Sequence, residues 1–396
     1  MLVTPPVLRA QGEPLGPEFR VNTFTTNGQL RSSIALDAAG NFVIVWTSYT
    51  QDGDSGGIFG QRYASDGFPL GAEFRVNTTT TNLQTGSAVA SDEAGNFVVV
   101  WDGSTSSEND DFNVYGQRFD ATGVPLGGQF RVNAYTTGNQ LGTCVASDPA
   151  GNIVVIWSSR GQDGSGYGVF ARRYASTGEP LGGEFQVNGS THHDQRATSV
   201  ASDALGNFVI AWQGLPNATT GRDVFARRYS SSGAPLDGEF RVNTYTPQDQ
   251  LAPAIASGAA GDFVIVWMGK DGSQGGIFGQ RFSSSGSPLG AEFRVNTSTA
   301  FNQYDPAVAS DRDGNFVVAW MAPNPAYLDV YAQRFAGSGV PVGGPSRVNT
   351  YTSKNQIYPA LQTDAAGDFV VTWTSTWTQD GSGPGIFAQR YNMILR

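Results

Sequence analysis

The chain has 396 residues, a formal net charge of −10 at pH 7 and one cysteine. The acidic balance argues against nucleic-acid binding, because phosphates need a basic surface, and a single cysteine excludes an internal disulfide framework. The sequence contains no transmembrane run, and residues 1–6 are too short and too polar for a signal peptide, so any export signal is absent from this chain. Short apolar runs bounded by Gly, Asn, Asp and Ser predict an all-β protein.

The chain begins with a fragment of a repeat and ends with the complementary fragment. The alternating segment at residues 18–22 is typical of an outer strand, whereas the last repeat stops after a third strand at residues 386–391. Pairing of the two would remove an exposed strand edge. We therefore predict that the N-terminal strand closes the last blade.

Between these ends one unit is repeated seven times. A tryptophan ends an apolar run in each copy with a period of roughly 53 to 56 residues, which is typical of a propeller blade. The seven tryptophans are Trp46, Trp101, Trp157, Trp212, Trp267, Trp320 and Trp373. Because repeat units pack mainly on their neighbours, we predict one domain over residues 8–391, with short extensions at 1–7 and 392–396.

Each repeat predicts four antiparallel strands in the same order. Small residues such as those at 88–90 suit an inner strand near a crowded axis. A run such as 42–46 is apolar on both faces, as a strand between two neighbours requires. Mixed segments such as 58–63 and alternating segments such as 73–78 follow as third and outer strands. The sequence thus predicts a seven-bladed β-propeller of four-stranded blades.

The connections divide into a uniform set and a variable set. The turns between first and second strands, and between third and outer strands, are short and alike, which indicates architecture. The loop between second and third strands and the connection to the next blade vary, and variable loops on one face favour a functional role.

The loop between second and third strands alternates around the ring. Repeats one, three, five and seven carry a Gln-Asp-Gly type of loop, whereas repeats two, four and six do not. Asp, Gln and backbone amides suit sugar hydroxyls, and Asp with backbone carbonyls suits calcium. A glycine-rich turn that uses Asp-Gly for its backbone geometry explains the same pattern. The candidate ligand-binding residues of these loops are Gln51, Asp52, Gln162, Asp163, Asp271, Gln379 and Asp380.

Calcium is the only metal that these loops suggest, and they offer far fewer than the six or more oxygen ligands that calcium takes. We therefore predict no metal site and no cofactor.

Aromatic residues mark the same face. Tyr135, Tyr245 and Tyr351 lie in blade connections, as do Phe24 and Phe301, and Trp377 is the one tryptophan outside the repeat pattern. An exposed ring offers a flat apolar platform with a polar rim, which sugars and peptides both use. Packing of these rings between loops is the alternative interpretation. Tyr135, Tyr245, Tyr351 and Trp377 complete the candidate binding set.

Every repeat also carries a glutamine just before its first strand, with two possible roles. The seven glutamines could surround the mouth of a central channel, or each could satisfy the loop backbone of its own repeat. They are Gln29, Gln84, Gln140, Gln195, Gln250, Gln303 and Gln356. Asparagines at the ends of outer strands and arginines in third strands are predicted to be structural in the same way.

Catalytic residues are poorly represented. His192 and His193 are adjacent, so their side chains point in opposite directions on an extended chain, and no base is predicted beside Cys144. No asymmetric catalytic cluster stands out. The sequence therefore favours a protein that binds rather than an enzyme.

The sequence motifs of the repeat, taken in order, resemble those of known repeat proteins. Phe-Arg-Val-Asn-Thr, a glutamine, Ala-Ser-Asp-x-x-Gly-Asn-Phe-Val-Val-Val-Trp and Gln-Asp-Gly-Ser-Gly-x-Gly-Ile-Phe-x-Gln-Arg-Tyr resemble the repeats of large secreted or cell-surface bacterial proteins. The likeness covers residues 8–391 and implies a seven-bladed β-propeller. It carries no catalytic motif, and repeats two, four and six depart from the Gln-Asp-Gly loop.

These features favour an extracellular, multivalent binding module for carbohydrate, similar to a lectin. Repeated weak sites gain avidity on a polyvalent glycan or cell-surface polymer. A scaffold for adhesion or protein partners is the first alternative, and a glycoside hydrolase or lyase is the second. Few lysines and many Ser, Thr, Gly and Asn residues favour a secreted or cell-surface location.

Overall fold

The computed structural model describes residues 12–106, 111–215, 221–270, 274–377 and 379–392. These residues form seven four-stranded antiparallel sheets and no helix, and hence no helix of the length and apolarity that crossing a bilayer needs. The seven sheets are the blades of a propeller, as the repeats predict. Blades are numbered here by their tryptophans, from Trp46 in blade 1 to Trp373 in blade 7.

Strand bounds repeat from blade to blade. The first strands are Gln29–Leu36, Gln84–Ser91, Gln140–Ser147, Gln195–Ser202, Gln250–Ser257, Tyr304–Ser310 and Gln356–Thr363. The second strands are Phe42–Ser48, Phe97–Ser104, Ile153–Arg160, Phe208–Gly214, Phe263–Lys270, Phe316–Asn324 and Phe369–Ser375. The third strands are Gly57–Tyr63, Phe112–Phe119, Tyr167–Tyr174, Asp223–Tyr229, Gly275–Phe282, Tyr327–Phe335 and Gly385–Tyr391. The outer strands are Phe74–Arg75, Phe130–Arg131, Phe185–Gln186, Phe240–Arg241, Phe293–Arg294, Pro341–Arg347 and, in blade 7, Phe19–Arg20.

Blade 7 contains both ends of the described chain. Its outer strand is Phe19–Arg20, in which Phe19 pairs with Ala388 and Arg20 with Phe387. The Val21 amide extends this pairing by donating to the Ile386 carbonyl over 2.8 Å. The last sheet therefore has the same four strands as the others.

The core lies between the blades. Each second strand is apolar on both faces because each face packs against a neighbouring sheet. One cluster, for example, joins Val43 and Val45 of blade 1 to Phe97, Val99 and Trp101 of blade 2. The hydrophobic core is therefore a ring of seven interfaces between blades.

Polar residues that occur in every repeat complete the backbone hydrogen bonding. The asparagine after each outer strand accepts from an amide of the third strand, as in the 2.7 Å bond from the Ile58 amide to Asn77 Oδ1. The glutamine at or just before each first strand is buried, and Gln84 Oε1 accepts from Trp101 Nε1 over 3.0 Å. Gln84 also donates to the Thr81 carbonyl over 3.2 Å. These contacts confirm the interpretation that the glutamines satisfy loop groups.

The third-strand arginines join neighbouring blades. Arg118 Nη1 donates to the Thr177 carbonyl over 2.6 Å, and Arg281 Nη1 donates to the Ser338 carbonyl over the same distance. Each acceptor lies in the turn between third and outer strands of the following blade. The arginines are structural, as their position in a strand predicts.

Each first strand has a bulge near its beginning. Pairing with the second strand shifts register between Leu30 and Ser33 in blade 1, and at the equivalent place in the other blades. A residue two positions after the glutamine has a left-handed backbone there. The residues with this conformation are Arg31 (φ 56°), Gly86 (63°), Gly142 (68°), Ala252 (50°), Asp305 (45°) and Tyr358 (56°). They are called the bulge residues below.

Candidate functional site

The second-to-third loops and the connections between blades share one end of the molecule. First strands start at this end and second strands finish at it, because the sheets are antiparallel. This end, the loop face, contains the predicted binding residues that fall within the described ranges. The opposite end contains the uniform turns.

In blades 1, 3 and 7 the loop aspartate points inward at the asparagine that follows the outer strand. Asp52 Oδ2 lies 3.2 Å from Asn77 Nδ2, and Asp163 Oδ2 lies 3.4 Å from Asn188 Nδ2. The loop aspartate has room for this contact because a glycine begins the third strand, and a side chain at Gly57 would collide with the Asp52 carboxylate. Asp380 makes the same contact with Asn22 over 3.5 Å.

In even blades the acceptor comes from the third strand itself. Asn113 takes the place of Gly57, and its Oδ1 accepts from Asn133 Nδ2 over 2.6 Å. Asp223 and Asp329 occupy the same position in blades 4 and 6 and accept from the asparagines over 2.7 and 2.8 Å. The alternation of loops therefore reflects two ways of supplying one acceptor. This pattern favours the turn interpretation of the loop aspartates.

The loop glutamines are engaged as well. Gln162 Nε2 donates to Glu184 Oε1 over 2.7 Å, while Glu184 Oε2 accepts from the Ala134 amide of the preceding connection over 2.7 Å. Gln51 and Gln379 make the equivalent bonds to Glu73 and Glu18, each over 2.5 Å. The glutamines thus hold their loops against the outer strands. Asp271 lies outside the described residues, and a ligand-binding role for these loops stays a prediction.

The aromatic residues differ in exposure. Trp377 is 66% exposed and Phe301 58% exposed, and Tyr245 is also exposed. Tyr135 and Tyr351 are half-buried. Tyr135, Tyr245 and Tyr351 share a position two residues after the asparagine, where the other connections have Phe24, Thr79, Ser190 and Ser298.

Trp377 lies between two blade connections. On one side, the Thr376 amide donates to the Asn355 carbonyl over 2.8 Å, in the connection that contains Tyr351. On the other side, the Gln29 amide donates to the Pro384 carbonyl over 2.9 Å, in the segment that follows Phe24. The rings of Tyr351, Trp377 and Phe24 therefore come from consecutive segments of one sector, in blades 6, 7 and 1.

The same sector carries charged bulge residues at the central channel. The Arg31 guanidinium carbon lies 5.0 Å from the centre of the Tyr358 ring in the adjacent blade. Its positive charge also acts on Asp305, two blades away on one side, and on Asp102 of the next blade on the other. Side chains from blades 6, 7, 1 and 2 interact in this way because they converge near the axis. This group of four residues is called the channel-mouth cluster.

The two carboxyl groups of the cluster are weaker acids than an ordinary aspartate. Burial raises the pKa of Asp102 to about 6. Hydrogen bonds from the Thr143 hydroxyl and the Gly142 amide, and the positive charge of Arg31, lower the pKa but do not outweigh burial. Burial also raises the pKa of Asp305, again opposed by Arg31. Asp102 is only 5% exposed and accepts from the Gly142 amide over 2.9 Å. Asp102 thereby caps the bulge of blade 3.

Sequence reasoning missed this cluster. Its members are spread over more than 250 residues of sequence, and no motif joins them. The sequence feature that could have indicated the cluster is the position two residues after each glutamine. This position is Arg, Gly, Gly, Ala, Ala, Asp and Tyr around the ring. That position departs most clearly from the repeat in blades 1, 6 and 7.

The opposite face has a central depression of about 350 Å³, lined by serines and by turn aspartates. The aspartates are bound within their own turns, as in the 2.8 Å bond from the Asn41 amide to Asp37 Oδ1. Arg312 and Glu93 form an ion pair of 2.5 Å, from blade 6 to blade 2. This end therefore shows the structural contacts that its uniform turns predict.

Other candidate chemical groups do not form a centre. His192 and His193 are exposed in a connection, and burial raises the pKa of the Cys144 thiol, which disfavours the reactive thiolate. Within the described ranges, no three His, Cys, Asp or Glu residues are grouped so that they could hold a metal ion.

Comparison with known proteins identifies the architecture. No protein-family model and no curated protein matches the chain. A protein of unknown function from Dyadobacter fermentans is 8% identical with a TM-score of 0.57, covering 95% of this chain and 98% of its own. The GH93 α-L-arabinofuranosidase of Fusarium graminearum, in complex with arabinobiose, is 10% identical with a TM-score of 0.54, covering 80% and 95%. The polysaccharide lyase Uly1 is 11% identical with a TM-score of 0.53, covering 94% and 91%. Likenesses at this identity show the propeller fold alone.

Proposed function

We propose that this protein is a secreted or cell-surface module that binds glycans at several places on its loop face. The observation that carries the proposal is the set of accessible aromatic rings on that face, with Trp377 66% exposed and Phe301 58% exposed. Large exposed rings cost solvation free energy unless a partner covers them. Sugar rings stack on such platforms.

Repetition of the rings supports multivalent binding. Tyr135, Tyr245 and Tyr351 occupy equivalent positions in three connections, so a repeating polymer can meet the same contact at intervals around the face. Several weak contacts gain avidity on a polyvalent surface. Two of the neighbouring folds, an arabinofuranosidase and a polysaccharide lyase, are named for action on carbohydrates, which is consistent with a glycan partner.

A glycan microarray tests the proposal, followed by titration of the best binder with the parent and two variants. Trp377→Ala should weaken binding about tenfold, since stacking contributes about 1.5 kcal/mol. Phe68→Ala is the matched control, because Phe68 is 71% exposed on the opposite face. We expect the control to bind like the parent.

Three other outcomes would redirect the assignment. Saturable binding that free sugar does not compete would favour the protein scaffold. Equal losses in Trp377→Ala and Phe68→Ala would contradict binding on the loop face. Turnover of a polysaccharide panel would favour the second candidate, a hydrolase or lyase. That candidate is supported by two carboxyl groups near the axis whose burial raises their pKa, to about 6 for Asp102 and in the same direction for Asp305. A general acid must keep its proton close to neutral pH, which a raised pKa favours.

A further inference from the structure

The bulge positions differ between sectors of the ring. Glycine occupies the left-handed position in blades 2 and 3, at Gly86 and Gly142, where it has no steric cost. Arg31, Asp305 and Tyr358 adopt the same conformation in blades 1, 6 and 7, although a Cβ disfavours it. Ala252 adopts it in blade 5. Because glycine or alanine satisfies the fold in blades 2, 3 and 5, the fold alone does not require large side chains in blades 1, 6 and 7. Backbone strain of this kind is typical of functional sites.

The three bulge residues with large side chains are consecutive around the ring. Tyr358 lies between Asp305 and Arg31 in blade order, and the Arg31 guanidinium carbon is 5.0 Å from the Tyr358 ring centre. Within the described ranges, no carboxylate lies at ion-pairing distance from Arg31. Its guanidinium is exposed, held over a ring and close enough to Asp305 to act on it electrostatically. This arrangement presents a cationic donor and an anionic acceptor on either side of Tyr358 in blade order.

We propose that the channel-mouth cluster binds a single neutral sugar unit, separately from the aromatic rings nearer the rim. Asp305 accepts from one sugar hydroxyl and Arg31 donates to another, because a hydroxyl can act both as donor and as acceptor. Tyr358 orients Arg31 through the contact between its ring and the guanidinium. This inference rests on the proposed function and names a subsite of it.

Charge favours a neutral sugar over an acidic one. The cluster holds one guanidinium and two carboxyl groups, so it has no net positive charge to attract a uronate. Burial also weakens hydration of the carboxylates, which makes hydrogen bonds from hydroxyls more favourable. A chain end that places one sugar unit at the axis would leave the next units over the sector that holds Tyr351 and Trp377.

The test uses the single variants Arg31→Gly, Asp305→Gly and Tyr358→Gly in the whole protein. Glycine relieves the left-handed conformation, so each variant should melt at the parental temperature or about 1 °C above it. The probes are neutral and uronate-bearing oligosaccharides of a glycan microarray, with affinities from calorimetry. We expect Arg31→Gly and Asp305→Gly to weaken binding of neutral oligosaccharides at least tenfold. Arg196→Ala, which removes an exposed arginine from the first strand of blade 4, is the control and should bind normally.

The outcomes separate this inference from the proposed function. If neutral glycans bind, Trp377→Ala loses affinity and the three glycine variants do not, the channel-mouth subsite is wrong and the proposed function stands. If only uronate-bearing glycans bind and Arg31→Gly abolishes that binding, the neutral assignment is overturned. If no glycan binds the parent, the proposed function fails and this inference fails with it.

Discussion

The glutamine near the start of each first strand and the bulge residue two positions later follow opposite rules. The seven glutamines are buried and bind loop carbonyls in blade after blade, as Gln84 does with the Thr81 carbonyl over 3.2 Å. The bulge residues range from glycine to arginine at one backbone conformation. The fold restricts the amino acid at a position whose side chain completes the backbone hydrogen bonding. It tolerates many amino acids at a position whose backbone groups bind neighbouring residues.

Blade 2 shows that a variable position can still be structural. In three blades an oxygen of the residue after the tryptophan caps the bulge amide of the next blade, and this residue is Thr374 in blade 7, Gln213 in blade 4 and Asp102 in blade 2. Three different acceptors meet one requirement. Variation alone therefore does not identify a functional residue. The contacts of the side chain distinguish a structural role from a functional one.

Removal of residues 1–23 tests the structural side of this comparison and should have the largest effect. The truncation removes the outer strand of blade 7 together with Val21, which is buried, and Asn22, which accepts from the Ile386 amide over 2.7 Å. Loss of one buried apolar side chain and several hydrogen bonds should cost about 4 kcal/mol, or about 5 °C in melting temperature. Calorimetry and light scattering would measure the two effects, since the uncovered third strand favours association. A monomeric truncated protein with the parental melting temperature would contradict closure by this strand.

Asp102→Asn tests whether a variable position carries a structural cost. The folded pKa of about 6 lies above the ordinary 3.8, so the folded state holds its proton more tightly than the unfolded state. Stability from this group is therefore lost as pH rises from about 4 to about 6, by about 3 kcal/mol in total. We compare the melting temperature of Asp102→Asn with that of the parent at two pH values. The difference, variant minus parent, should be about 3 °C larger at pH 7.5 than at pH 4, because only the parent loses this stability. An equal difference at both pH values would show that Asp102 titrates normally.

Much of the fold could be predicted because its requirements repeat. The tryptophans, asparagines and glutamines recur at fixed spacing, and each recurrence corresponds to a contact that every blade needs. The channel-mouth cluster could not be predicted, because Arg31, Asp102, Asp305 and Tyr358 come together only through ring geometry. The loop aspartates were ambiguous for a different reason. In blades 1 and 3 their partner is an asparagine 25 residues away, and the even-blade substitute, such as Asp223, lies on a different element.

The central claim is that residues required by every blade hold the fold and that exposed variable residues on the loop face bind. The most direct measurement compares melting and glycan binding of a variant with Asp52, Asp163, Asp271 and Asp380 all replaced by Ala. The three described contacts of these aspartates with asparagines are 3.2 to 3.5 Å long and therefore weak, so melting should fall by about 2 °C. Binding to an immobilised polyvalent glycan should stay within about twofold of the parent, as expected when stacked rings supply the contact. Abolished binding at an unchanged melting temperature would show that the loop aspartates are ligands and would contradict this account.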